Sequence, residues 1–483
     1  MSEQRPDQPP EQPRIGVDSW VASADERRAR SAVGRAQDAY DRAPSALKLL
    51  ALAVPFAVYP LFIDSAYLMQ VGIDTLIFVL LALGLNVAVG WVGLLDLGYV
   101  AFFGMGAYLY AAVASEYAGR HWEAEFAIPL IAVAVAATGF LVGLPSRRLA
   151  GDYLAIVTLF FLQLWLVVLI NASFTRGPNG ISDIDPLEFF GRQLVSLDAY
   201  YYVTLVAFVL IVAFVYLVNQ SRTGRAWRAL REDELAAELM TMPVNRLKLM
   251  GFAVGAGVAG VAGAIFAPVQ GAVFPANFDL VLLITVYAMV VLGGAGSLIG
   301  VTVGAVLING SLEALRDADN ASWLFYGVVA IVLLALLRPW WQPVAVLGAT
   351  VVFGFVVHEI AEQARPSLVG GRSFGEARID ELVDSWVLLP QNIVTEDGLP
   401  AGATGRLAYI GLVAAVLGLT LIRSQSWRLI ALVPVLYLAA CVWANLLVAQ
   451  PAVARFVLMG ALLVGLMAFR PQGLFGQQRV EIV

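Results

Sequence analysis

The residues able to do chemistry in an apolar setting fall in two glycine-rich stretches. The first, GLNVAVGWVGLLDLGYVAFFGMGAY at 84–108, sets Asn86 and Asp96 among Gly90, Gly93, Gly98 and Tyr99. Glycine at this density loosens a helix and lets backbones approach closely. An interrupted helix exposes backbone N–H and C=O groups, with which membrane carriers hold polar solutes. A carboxylate such as Asp96 in such a setting reads as functional by default, because charge is costly in lipid. On the competing reading Asp96 caps a helix at the membrane edge and the glycines serve packing. The second stretch, VVLGGAGSLIGVTVGA at 290–305, supplies Gly293, Gly294, Gly296 and Ser297. Two interrupted segments, one in each half, point to a solute pathway lined by these residues, although tight helix packing uses the same residue types.

Two polar stretches are candidates for contacts outside the membrane. Gly177, Pro178, Asn179 and Gly180 form strong turn chemistry that can line an entrance, receive a partner or serve only as a turn. Ser221 to Lys248 is an island of both charge signs between apolar runs. Arg225 to Met240 is rich in helix formers, with Arg228, Arg231, Glu232 and Glu234 interleaved and Pro243 placed to end the helix. Ala229, Leu235, Ala236, Leu239 and Met240 offer an apolar strip, which suits docking in a partner's groove. A solvated connector is the alternative. Lys48 and Lys248 are the only lysines and neither follows phosphate-loop glycines, so this chain is not its own P-loop ATPase. His121 and His358 stand apart and Cys441 is the single cysteine, so no metal site is expected.

The elements that must position these residues are helices in a membrane. The 483-residue chain is 60% hydrophobic and 14% charged, against about half and a quarter for soluble domains. Apolar blocks of membrane-spanning length predict an all-α polytopic protein with about 14 segments, several of them broken by glycine. Arg147 and Arg148, the 221–248 island, Arg338, Arg423 and Arg428, and Arg470 and Arg479 fall on one side when the spans alternate. The excess of basic residues places both termini in the cytoplasm. Residues 1–46 form a polar tail, a surface helix or disorder. The segment 359–405 lies outside, where Ile379, Leu382, Val383, Trp386 and Leu389 predict an interfacial helix or a loop packed on the protein.

Several stretches together resemble the permease subunits of branched-chain amino-acid ABC importers of the LivM type. They are 84–111, RLAGDYLAIVTLFF at 148–161, GPNGIS at 177–182, 221–267, LGGAGSLIGVTVGA at 292–305 and FRPQGLFG at 469–476. The resemblance implies a permease core over 47–315, with 221–248 as the coupling segment and Glu234, Ala236 and Ala237 on its E-A-A motif. Arg228, Arg231, Glu232, Thr241 and Arg246 complete the expected contact with the ATPases. It also implies two P-loop ATPase subunits carrying ATP and Mg, a second related permease, an external binding protein and a plasma-membrane location. This chain is expected to hold no cofactor and to catalyse no reaction.

Three departures stand out. The family usually has glycine where Thr241 stands, Pro243 is unusual, and Arg176 replaces a small residue. Residues 316–453 read as an insertion with extra spans before the last span and tail at 454–483. The alternatives are a urea or short-amide importer and an ion-coupled secondary transporter. The latter expects paired intramembrane acids, and the spans show few besides Asp96.

Overall fold

The computed structural model describes residues 45–63, 65–146, 152–316, 318–337, 341–364, 369, 385–388, 402–422 and 424–449, with short pieces between 456 and 475. Arg147, Arg148, Arg338, Arg423, Arg470, Arg479, the tail 1–44 and most of 359–405 lie outside the described residues.

The chain divides into two compact units, 1–64 and 65–483. In the first, helix α1 (Ser45–Val58) carries Pro55 and runs into a 3₁₀ turn at Tyr59–Leu61.

The second unit starts with α2 (Ala66–Leu85), whose winding changes to π over Asn86–Val92. It continues through α3 (Tyr99–Val113), α4 (Ala124–Ser146), α5 (Asp152–Asn171) and α6 (Leu197–Gln220). Two short helices follow, α7 (Arg222–Glu232) and α8 (Glu234–Leu239), and then the long α9 (Val244–Gln270). Helices α10 (Leu280–Gly293), α11 (Leu298–Ala314), α12 (Ala318–Leu336), α13 (Trp341–Ala364), α14 (Gly402–Leu421) and α15 (Gln425–Ala449) complete it. Among the described residues, eight helices are long and apolar enough to cross a membrane, and five further apolar helices are shorter.

Helix α9 is the axis of the unit, packed against α4, α3 and α2. Its sequence explains the position. A stripe of glycine and alanine lets neighbouring backbones approach, which is how helices associate where no hydrophobic effect operates between them. A methyl group on Gly106 would collide with the backbone of Gly260, and one on Gly263 with the carbonyl of Phe103. Farther along the chain, α13 and α15 pack together around Tyr437, Ala440, Cys441 and Ala444, and Phe325 stacks on Trp443 at 4.7 Å. Trp386 lies within this group, 5.8 Å from the Tyr437 ring, and its carbonyl accepts from the Tyr437 hydroxyl. Trp386 is thus packed on the protein; Ile379, Leu382, Val383 and Leu389 lie outside the described residues.

The two ends of the α2–α11 bundle differ. One end carries α7, α8, the π segment and the α10–α11 connection. The other carries short antiparallel pairs: β1 (Ala114–Ser115) with β2 (Arg120–His121), β3 (Ile181–Ser182) with β6 (Ala272–Val273), and β4 (Glu188–Phe189) with β5 (Arg192–Gln193).

Candidate functional site: a node between the charged island and the glycine-rich segments

The charged island is not a single helix. Ser221 caps α7, accepting from the Gly224 N–H, and Asp233, extended at φ −153°, caps α8, accepting from the Ala236 N–H at 3.0 Å. The predicted helix from Arg225 to Met240 is therefore split at Asp233, because a short acid there satisfies the first turn of a new helix better than it continues the old one. Pro243 does not end this helix either. The chain has already left it at Met240, and Pro243 precedes the first turn of α9. Between them Thr241 has a left-handed φ of 60°. That is why glycine suits this position: it adopts positive φ without a Cβ clash.

The apolar strip is also redrawn. Trp227, Leu230 and Ala237 point inward and are buried, and Trp227 Nε1–H donates to the Leu247 carbonyl at 2.9 Å. Leu235, Leu239 and Met240 are 72%, 84% and 75% exposed, and Ala236 is exposed beside them. The island is pinned to α9 a second time by Glu234, which pairs with Lys248 at 2.6 Å; the lysine is buried and the glutamate half-exposed.

From this anchored base, Arg231 reaches into both glycine-rich segments. Its guanidinium donates to the Gly90 carbonyl in the π segment, and the Ala295 carbonyl lies 3.5 Å away in the α10–α11 connection. The two segments are also bonded to each other. Asn86 Oδ1 accepts from the Gly296 N–H at 2.7 Å, and Trp91 Nε1–H donates to the Gly296 carbonyl at 2.9 Å. A methyl group on Gly90 would strike the Asn86 side chain and the Gly296 backbone, and one on Gly93 would press on Arg231. Gly93, Gly294 and Gly296 have φ of 81°, 106° and 98°, which turns the chain at the points of contact. Gly293 and Ser297 flank the connection, Ser297 capping α11 through the Gly300 N–H. The tail motif returns here as well: the N–H groups of Leu474 and Phe475 donate to the carbonyls of Leu292 and Gly293.

The remaining candidates lie elsewhere. The Asp96 carboxylate is buried and accepts from the Gly98 N–H at 2.9 Å, a local turn, while its backbone carbonyl accepts from the Tyr287 hydroxyl. Gly98 packs on the Thr158 backbone, and the Tyr99 hydroxyl donates to the Leu81 carbonyl. Of the charged-island residues, Arg228 bonds the Asn219 carbonyl at 3.3 Å, and Glu232 and Arg246 are exposed.

The turn at Gly177, Pro178, Asn179 and Gly180 is at the opposite end. Gly177 and Gly180 have φ of 60° and 63°, and a side chain at Gly180 would meet the Val273 carbonyl where β3 pairs with β6. The departing residue Arg176 lies over the Tyr117 ring at 4.6 Å, an aromatic face that a small residue cannot use. The same end holds His121 Nδ1, 2.7 Å from Asp185. That hydrogen bond raises the histidine above its ordinary midpoint.

Sequence reading passed over Asp74. It stands in α2 within an otherwise apolar run and is only partly buried, accepting one long hydrogen bond from Gln70 Nε2 at 3.3 Å. A single acid in the run QVGIDTLIF is the signal that was available.

A helical bundle of membrane-length helices, with a charged two-helix element pinned beneath it, defines a polytopic membrane protein. Its relatives specify which kind. The family described as "Branched-chain amino acid transport system / permease component" matches residues 67–337, and the chain belongs to that family. It is 38% identical over 329 residues to the high-affinity branched-chain amino acid transport system permease protein LivM of Escherichia coli, covering 63% of this chain and 74% of the relative. It is 29% identical over 194 residues to the permease protein LivH of the corresponding system of Salmonella typhimurium, covering 40% and 61%. With the permease protein BraD of Pseudomonas aeruginosa it shares 24% over 287 residues, covering 56% and 91%. No solved structure gives a significant match. The chain is a multi-pass plasma-membrane permease subunit of an ABC importer, not itself an enzyme.

Proposed function

We propose that the chain moves branched-chain or related hydrophobic amino acids inward, paired with a second, related permease. Two P-loop ATPases holding ATP and Mg supply the energy, and an external binding protein delivers the solute. On this reading about fourteen segments cross the membrane with both termini in the cytoplasm, and α7–α8 faces the ATPases. Closure of the ATPases moves a packed element as a rigid body.

The observation that carries the proposal is the Arg231 contact with Gly90 and Ala295. One side chain of the ATPase-facing element holds the two glycine-rich segments, so displacement of α7 is felt at both. Asn86, Gly90, Gly93, Gly293, Gly294, Gly296 and Ser297 then form the inner gate of the pathway rather than a midplane solute site. Asp96, Gly98 and Tyr99 support the gate from behind. Gly177, Pro178, Asn179 and Gly180 shape the outer entrance.

The test is uptake of radiolabelled leucine into proteoliposomes holding the complete importer. Uptake is expected to require ATP and the binding protein, and Arg231→Ala is expected to lower it about tenfold or more with the ATPases still bound. Uptake driven by an ion gradient without ATP overturns the proposal. Undiminished uptake by the variant overturns the gate.

A further inference from the structure

Toward the turn-bearing end, the bundle contains a cavity of about 180 Å³ that is distinct from the Arg231 node. Its walls are mostly apolar: Ile77 and Phe78 from α2, Phe103 from α3, Phe266 from α9 and Leu282 from α10. Two polar residues, Asp74 and Asn277, are among those that line it. Small-solute sites are built this way, from an apolar body with a few placed polar groups.

The walls are held in shape from behind. Phe103 and Phe266 are 5.2 Å apart, and Phe278 lies 5.5 Å from Phe103, 6.1 Å from Phe266 and 5.8 Å from Trp165. Asn277 is oriented too: its Oδ1 accepts from the Phe274 N–H at 3.1 Å, which leaves Nδ2 as its donor. The volume exceeds the ~150 Å³ of a cavity that accommodates benzene, so a branched aliphatic side chain fits.

A polar ladder leads from the end of the bundle to the cavity. At the helix ends, the Tyr67 hydroxyl donates to Glu313, which also pairs with Arg316 at 3.3 Å. One turn further in, Gln70 donates to Asp74, and Asn309 Nδ2 donates to the neighbouring Thr75 hydroxyl at 2.8 Å. Tyr67, Gln70 and Asp74 recur every three or four positions along α2, and Asn309 and Glu313 are four apart on α11, so each set shares one helix face. Ionisable and polar groups inside membrane helices line water-filled paths or pair with one another.

We infer that this cavity is an outward-half solute site that takes a small molecule with a cationic ammonium and a compact apolar body. Asp74 holds the ammonium, the phenyl rings and Leu282 hold the apolar body, and Asn277 Nδ2 donates to an oxygen of the solute. The inference rests on the proposed amino-acid transport and names where in this chain the solute lodges before the Arg231 gate.

The experiment uses the complete importer with Cys441→Ala, adding Leu282→Cys at the cavity or Ile284→Cys on the same helix, where the side chain is 59% exposed. Leucine, delivered by the binding protein, is expected to slow thiol labelling of Leu282→Cys severalfold and to leave Ile284→Cys unchanged. Phe266→Ala enlarges the cavity and is expected to raise the phenylalanine-to-leucine uptake ratio about tenfold. Asp74→Asn is expected to raise the leucine KM about tenfold, with Asp74→Glu recovering part of it. Equal protection at both cysteines, or none, together with an unchanged uptake ratio, overturns the site even where the wild type imports leucine. Failure of the wild type to import any hydrophobic amino acid overturns the transport reading and the site together.

Discussion

At the scale of single residues, Arg231, Glu234 and Thr241 divide the work of the charged island. Arg231 makes the connection to the glycine-rich segments. Glu234 neutralises Lys248, which is 4% exposed and would otherwise be an unpaired charge within the protein. Thr241 makes the turn between them at a cost. A non-glycine residue held at positive φ carries about 1 kcal/mol or more of strain, while glycine adds a few tenths in unfolded-chain entropy. Thr241→Gly is therefore expected to stabilise the protein by about 0.5–1 kcal/mol, read as a higher thermal midpoint in detergent. A lower midpoint would show that the Thr241 hydroxyl, which bonds the Met240 carbonyl at 2.7 Å, outweighs the backbone strain.

At the scale of elements, α8 is too short to be stable alone. Its structure comes from the Asp233 cap, the buried Ala237 and the Glu234–Lys248 pair. Those three contacts turn one face inward and leave Leu235, Leu239 and Met240 outward. An apolar patch on so small a charged element has the form of a helix-in-groove anchor. Leu239→Glu removes apolar surface without touching the inward contacts. It is expected to weaken co-purification of the ATPases about tenfold or more, with the isolated permease folding normally. Unchanged co-purification would mean that the patch faces something else.

For the whole molecule, the two ends of the bundle carry different chemistry. The node end is tied by backbone carbonyls and a guanidinium, whose charge is constant across accessible pH. The turn end includes the His121–Asp185 pair, which bridges β2 to the segment that follows β3. Because folding raises the histidine midpoint, its stabilisation is complete below the unfolded midpoint near 6.5 and fades as pH rises through the folded value. Amide exchange at Ile184 and Asp185 is thus expected to speed up, beyond the intrinsic base-catalysed change, between about pH 5.5 and 8. His121→Gln should abolish this excess pH dependence. If it persists in that variant, another group is responsible.

The amino-acid order by itself determined the membrane helices, since length and apolar content are local properties. It also determined the charged island and the turn at 177–180, which depend on near neighbours in the chain. The glycine-rich stretches were visible as composition, but their partners were not. Gly90 and Gly296 are 206 residues apart, and only the packing of α2 beside α11 brings Asn86 to the Gly296 N–H. The same holds for Arg231, one arginine among several until the fold aimed it at Gly90. Tertiary structure also separated Asp96, occupied by its own turn, from Asp74, which opens into a cavity. Both acids accept a bond from a near neighbour in the chain; what sets Asp74 apart is the cavity beside it, whose walls come from helices distant in the chain.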